Sequence, residues 1–128
     1  MSQKVEIKTS NAPLPVGPYS QAIKKGQTLY CSGQIAIDPK TNEVLKGDVQ
    51  AQARLVMENI KGVLSAAGFG FKDVVKTTIY LTKMSDFAAV NEVYGGYFQA
   101  PFPARSTVAV AELPKGVQVE VEVLAVGE

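Results

Sequence analysis

The chain is expected to adopt an α+β fold in which one mixed β-sheet carries both of its helices on a single face. Three observations predict it. Short segments rich in alternating or β-branched residues recur at both ends of the chain and in its middle. Two longer stretches place apolar residues at helical spacing. No repeat, low-complexity tract or linker divides the 128 residues into separate units. We therefore expect a single domain over residues 1–128 with one core.

The first strand is expected over residues 5–8. The loop 11–18 follows, and its three prolines and glycine bar a helix. Strands over 19–25 and 28–34 are joined by a turn at Lys25-Gly26-Gln27, and Asp38-Pro39-Lys40-Thr41-Asn42 is a second turn. From Asp48, a helix N-cap, apolar residues recur at Val49, Ala53, Val56, Ile60, Val63, Leu64 and Ala67, and Gly68 supplies the stop. Residues 73–82 are β-branched and read as a strand. A second helix is expected to start at a Ser85 cap, to bury Phe87, Val90, Val93 or Tyr94, and Phe98, and to end before Pro101. The last two strands, 105–111 and 117–126, flank the Leu113-Pro114-Lys115-Gly116 turn and are expected to be antiparallel neighbours. Val74, Tyr80, Val108, Val110, Val119, Val121 and Val123 are too many apolar strand residues for one covered face, so oligomerisation is expected to cover the other.

The missing residue types restrict the chemistry. The chain has no His and one Cys, which removes Ser/His/Asp and Cys/His machinery and the usual zinc ligand sets. Acid/base work then falls to carboxylates, Lys, Tyr or water. Lone Cys31 permits no internal disulfide and is expected to be a buried strand residue. The N-terminus is polar where a secretory signal would be apolar, and no segment is long and apolar enough to span a bilayer, so a cytoplasmic location without a membrane partner is expected. The net charge is +1 and the lysines are scattered, which argues against a nucleic-acid-binding face.

A few residues remain as candidates. Arg54 and Arg105 are the only arginines, and a guanidinium fork binds carboxylates bidentately as Lys cannot. Glu120 and Glu122 alternate with Val119, Val121 and Val123, so the two carboxylates leave the same side of the last strand about 7 Å apart. A solvated strand face is the ordinary fate of such a pair. A hairpin of the last two strands would bring Arg105 near them. Gly33 inside a strand pattern suggests a bulge or a close approach to the backbone, and a packing role is equally compatible. Gly68-Phe69-Gly70 follows a helix and lacks a third glycine, so it is no dinucleotide fingerprint. Tyr19 leaves a loop after Gly17-Pro18, where a phenol can be half-buried with its hydroxyl free.

Gly17-Pro18-Tyr19-Ser20-Gln21-Ala22, Ser32-Gly33-Gln34-Ile35, Asp86-Phe87-Ala88-Ala89-Val90-Asn91, Pro103-Ala104-Arg105-Ser106 and Val119-Glu120-Val121-Glu122 together resemble the RidA (YjgF-type) enamine/imine deaminase family, in its order and over almost the whole chain. The resemblance implies a chorismate-mutase-like α+β fold and a homotrimer with an inner β-barrel, outward helices and clefts between subunits. It implies hydrolysis of 2-aminoacrylate and related enamines, through their imine tautomers, to 2-oxo acids and ammonia without a cofactor. Carried over by motif, Arg105 clamps the substrate carboxylate and Glu120 handles water and proton. Tyr19, Ser32, Gly33, Phe87, Asn91 and Thr107 surround the ligand. Thr107 departs from the Cys that many active members carry; it is harmless if the position acts through its backbone. Two other readings stand beside this one: a non-catalytic module that binds a 2-oxo acid or similar carboxylate, and an RNA-directed translation inhibitor or ribonuclease.

Overall fold

In the computed structural model, residues 3–128 are described. Eight elements form the frame: β1 Val5–Ile7, β2 Ala22–Lys25, β3 Thr28–Cys31, α1 Val49–Ala66, β4 Val74–Leu81, α2 Phe87–Gly95, β5 Ala104–Ala109 and β6 Val119–Val126. The strands make one sheet in the order β1-β2-β3-β6-β4-β5. All neighbours are antiparallel except β4 and β5, which are parallel because α2 carries the chain back between them.

The expected pairing of the last two strands is therefore wrong. β4 lies between β5 and β6, and β6 crosses to the middle of the sheet, where it is paired on both sides. The sequence shows why that position suits it. Val119, Val121, Val123 and Ala125 are all nearly inaccessible, and a strand so apolar on one face is best placed where both edges are bonded and a helix covers that face. The short turn after residue 113 resembled a hairpin loop. It is a single 3-10 turn, with Lys115 and Gly116 at positive φ, that redirects the chain across the sheet.

α1 follows its sequence signals closely. Asp48 Oδ1 accepts from the Ala51 amide at 2.8 Å, and Gly68, at φ +79, lets the Phe69 amide return to the Leu64 carbonyl at 2.8 Å. Its buried face, including Val56, Met57, Ile60 and Leu64, packs on Leu29, Ile79, Leu81 and the β6 valines to form the core. Two buried amides on the same helix tie down the irregular chain between β3 and α1. Asn59 Nδ2 donates to the Ile37 carbonyl at 2.9 Å, and Gln52 Nε2 donates to Leu45 O at 3.0 Å. These bonds satisfy carbonyls that no strand partner reaches.

Other boundaries shift for visible reasons. The second strand starts at Ala22, not at residue 19, because buried Gln21 serves the preceding loop: its amide donates to the carbonyls of Thr9, Ala12 and Pro13 and its Oε1 accepts from the Thr9 amide. The third strand breaks at Ser32 and resumes only as a bridge from Gln34 to Val121. α2 is preceded by a 3-10 turn, Met84–Asp86, and Ser85 does not cap it. Val90 and Tyr94 are buried, and Phe98 packs beneath them from beyond the helix end. Phe87 and Val93 are only partly covered.

The apolar surplus expected on the uncovered face is also corrected. Val74, Val119, Val121 and Val123 lie under the helices. The open face is mixed instead, with Tyr30 and Val108 exposed beside Glu120, Glu122, Thr78 and Tyr80. No helix is long and apolar enough to cross a membrane among the described residues.

Gly62 in α1 was not singled out by sequence, yet it seats the N-terminal loop: a Cβ there would come within 2.5 Å of the Asn11 carbonyl oxygen. Gly→Ala in a helix interior ordinarily stabilises by about 1 kcal/mol. Gly62→Ala is expected to destabilise by about 1–3 kcal/mol, because a rigid carbonyl must move. Urea unfolding at fixed protein concentration measures the sign, and a gain in stability would mean that the loop yields freely.

Candidate active site

The parallel β4-α2-β5 unit builds the first half of the site. Register places Arg105 beside Thr77 on the face that α2 covers, and positions 87, 91 and 94 of α2 share the helix side turned to it. The guanidinium carbon sits 5.3 Å from the Phe87 ring centre and 5.1 Å from that of Tyr94. One N–H donates to Asn91 Oδ1 at 2.6 Å. Tyr94 is itself fixed by a 2.8 Å hydrogen bond with Thr77. Burial pushes the Tyr94 phenol up, while Thr77 and the Arg105 charge act in the opposite sense. The result is a cation held over two aromatic rings at the wall of a cleft of about 440 Å³. Asn91, Tyr94, Gly95, Phe102, Pro103 and Arg105 line it. Such a guanidinium is prepared for a planar anion.

The second half belongs to β6 and the β3 break. Glu120 is half-buried, and its carboxylate rests against the Gly33 backbone so closely that a Cβ on Gly33 would overlap Glu120 Oε2. The close approach suggested for Gly33 is thus made by a carboxylate of the same chain. Burial, and then the charge of Glu122, push the Glu120 carboxyl above the ordinary carboxylate value. Tyr80, directly across from Glu120 on β4, donates its hydroxyl to Glu122 Oε1 at 2.6 Å. Ser32 Oγ donates to the Ser20 carbonyl at 2.6 Å and the Ser32 amide to Gln21 O at 3.0 Å. These bonds hold the 19–21 loop beside Gly33. Tyr19 stands on that loop, 53% exposed.

The two halves do not meet within one chain. Thr77 and Ile79 pair with Arg105 and Thr107 on one side and with Val123 and Val121 on the other, whereas Glu120 pairs with Tyr80 on the opposite face. Arg105, Phe87, Asn91 and Thr107 therefore belong to the helix-covered face, and Glu120 belongs to the open one. The Thr107 hydroxyl is inaccessible and has no hydrogen-bond partner among the described residues. No cluster of three or more His, Cys, Asp or Glu side chains that could hold a metal occurs among the described residues.

Residues 9–127 match the family model described as Endoribonuclease L-PSP. The chain belongs to that family, the YjgF/RutC/RidA group. Its sheet and helices are the chorismate-mutase-like α+β arrangement expected from the motifs. A RutC family protein of Pyrococcus horikoshii is 55% identical over 98% of this chain and 99% of its own. A protein of Dermatophagoides farinae named 2-iminobutanoate/2-iminopropanoate deaminase is 48% identical over the full length of both. The solved structure of E. coli TdcF with bound serine superposes with a TM-score of 0.93 at 45% identity, covering 98% of this chain and 100% of that one.

Tyr94 and Tyr80 entered the site only with the structure, and Glu122, a candidate from strand alternation, gained its partner there. A signal for Tyr94 was present, since Phe87, Asn91 and Tyr94 share helical spacing, but its aromatic character read as core. Tyr80 and Glu122 needed the β4–β6 register.

Cys31 makes no polar contact in either half, although it lines the cavity at Glu122, and its burial is partial, short of the expected buried strand residue. Burial pushes its thiol to about 12 from an ordinary 9.0. The unfolded chain therefore loses this proton first, so the group's contribution to stability declines as pH rises above 9.0 toward about 12. At pH 8, iodoacetamide should label the unfolded chain at least about 100-fold faster than the folded protein. Mass spectrometry of quenched time points reads the ratio, and equal rates would contradict the burial.

Proposed function

We propose that this protein hydrolyses 2-imino acids to 2-oxo acids and ammonia, without a metal or cofactor, in a site that two subunits of a homotrimer share. The observation that carries the reading is Arg105, stacked over Phe87 and Tyr94 and oriented by Asn91 at the wall of a small cleft. Its fork receives the substrate carboxylate and fixes the imine carbon relative to the wall. Glu120 takes a proton from water as the water oxygen bonds to the imine carbon. Water adds to the protonated imine, so the carbinolamine is neutral; Glu120 returns its proton to nitrogen, then takes the hydroxyl proton as the C=O bond forms and the C–N bond breaks, and ammonia leaves with that proton as ammonium. A carboxyl whose proton affinity is raised by burial suits these transfers better than an ordinary one.

Tyr19, Ser32 and Gly33 contribute the wall on the Glu120 side, and Phe87, Asn91 and Thr107 the wall on the Arg105 side. The separation of these groups by the sheet supports a shared site, as does the open face with its exposed Tyr30 and Val108. The deaminase name of the full-length mite relative and the amino acid bound to TdcF support a small carboxylate ligand. All of this would operate as one functional unit over residues 1–128 in the cytoplasm, with no membrane partner. The family's endoribonuclease description raises RNA cleavage as the second reading; with no His and a net charge of +1, such a nuclease would lack its usual acid/base pair and phosphate-binding face.

The test follows 2-iminopropionate, generated by an amino-acid oxidase and trapped with semicarbazide. Wild type is expected to suppress semicarbazone formation. Arg105→Ala should lose about 100-fold or more in kcat/KM while remaining trimeric. An unchanged rate would sink the assignment, and binding of 2-oxobutyrate without turnover would leave a carboxylate-binding module. RNA cleavage lost with the same substitution would favour the nuclease. The shared site has its own check: co-refolding equal amounts of Arg105→Ala and Glu120→Ala chains should restore about a quarter of wild-type activity in cyclic trimers. A site contained in one chain would recover nothing.

A further inference from the structure

On the open face, one acidic side chain in the described site has been given no task. Glu122 lies two residues from Glu120 on β6, on the same side of the strand, and its Oε1 accepts the Tyr80 hydroxyl at 2.6 Å. Tyr80 is the residue directly across from Glu120, so its hydroxyl reaches diagonally past Glu120 to the second carboxylate. We infer that Glu122, anchored by Tyr80, is a positioning residue that holds a second carboxylate fixed beside Glu120, the group that makes the proton transfers.

The geometry favours this over a solvated pair of glutamates. A free Glu122 would swing away from a like charge, because both carboxylates gain from separation. The Tyr80 bond prevents that movement, and β4 and β6 are paired along the whole of this stretch, from Thr77↔Val123 to Leu81↔Val119. Gly33 closes the other side of Glu120, so that carboxylate cannot retreat toward β3. Within one chain, the groups around the pair are mostly uncharged. Gln34 bridges to β6 as an uncharged residue. Lys76, on the same face of β4, lines the cavity at Glu122, and its ammonium is 3.5 Å from Ser106 Oγ on β5, the side away from β6. Tyr80 is an uncharged donor whose phenol is pushed up chiefly by its bond to Glu122. The cavity of about 290 Å³ at Glu122 is also lined by Cys31, whose thiol stays neutral. Thus the charge that Glu120 experiences most directly is that of Glu122, the second cause of its raised value after burial.

This assignment rests on the deaminase reading, and its test separates the two. Glu122→Gln retains an oxygen for the Tyr80 hydroxyl and removes only the charge. Carbon-13 NMR of glutamate carboxyls, with Glu120→Gln for assignment, follows Glu120 directly in the intact protein whether or not it is an enzyme. In Glu122→Gln, the Glu120 midpoint is expected to move to lower pH. The acid limb of the kcat/KM profile should move with it, kcat at neutral pH should fall about three- to tenfold, and KM should hold within about twofold. Glu122→Asp, which keeps the charge, should restore most of the midpoint. A Glu120 midpoint unchanged in Glu122→Gln overturns the inference whatever the activity. A midpoint that moves in a protein with no imine turnover in any variant overturns the deaminase reading, and with it any role of Glu122 in that reaction.

Discussion

The structure depends on the alternation of valine and glutamate along β6. Val119, Val121 and Val123 face the helices and are almost completely buried, which makes β6 the strand on which α1 is seated. Because side chains alternate across a strand, the same packing sends Glu120 and Glu122 to the opposite face. Slipping the register by one residue would place two carboxylates in the apolar core at a cost of several kcal/mol each. The core thus sets which face the acidic groups leave from, and the Tyr80 hydroxyl and the Gly33 backbone then fix them there.

Arg105 is fixed by a different part of the molecule. α2 returns the chain so that β5 must run parallel to β4, and that direction sets Arg105 opposite Thr77 on the covered face. The hydrogen bond between Thr77 and Tyr94 then joins strand to helix at the same level, so the aromatic bed under the guanidinium is part of the helix–sheet junction. Positioning by such a junction is tighter than positioning by a loop, and a fork that must meet a carboxylate in two places gains from it.

Much of this was legible in the sequence where one local signal decides. Asp48 and Gly68 bound α1 because a cap and a left-handed stop act within a few residues. The valines of β6 announced their alternation, and Arg105 was conspicuous in a lysine-rich chain. What the sequence did not disclose was long-range pairing. Residues 113–116 have the composition of a hairpin turn, and nothing local reveals that β4 already occupies the edge beside β5. The error about the site followed from that one: with β5 and β6 as neighbours, Arg105 and Glu120 would have stood on adjacent strands, whereas β4 intervenes and parity puts them on opposite faces. Gln21 escaped notice for a similar reason, since its amide serves the carbonyls of Thr9, Ala12 and Pro13, residues far enough away that no short motif encodes the contact.

The separation of Arg105 from Glu120 has a chemical consequence of its own. Were the two side chains adjacent in a single chain, they would pair, and the pair would lower the proton affinity of the carboxylate while occupying the fork. Within one chain, a sheet between them prevents that pairing, and the proton affinity of Glu120 is raised by burial and by Glu122. In the proposed trimer each group reaches the cleft from a different subunit, and the negatively charged substrate enters between them. Arg105 then balances the substrate carboxylate before Glu120 acts, so the base meets a molecule whose negative charge is already compensated. The division of the site across the sheet is in this sense the arrangement that lets a single cation and a single carboxylate perform opposite tasks within a small cleft.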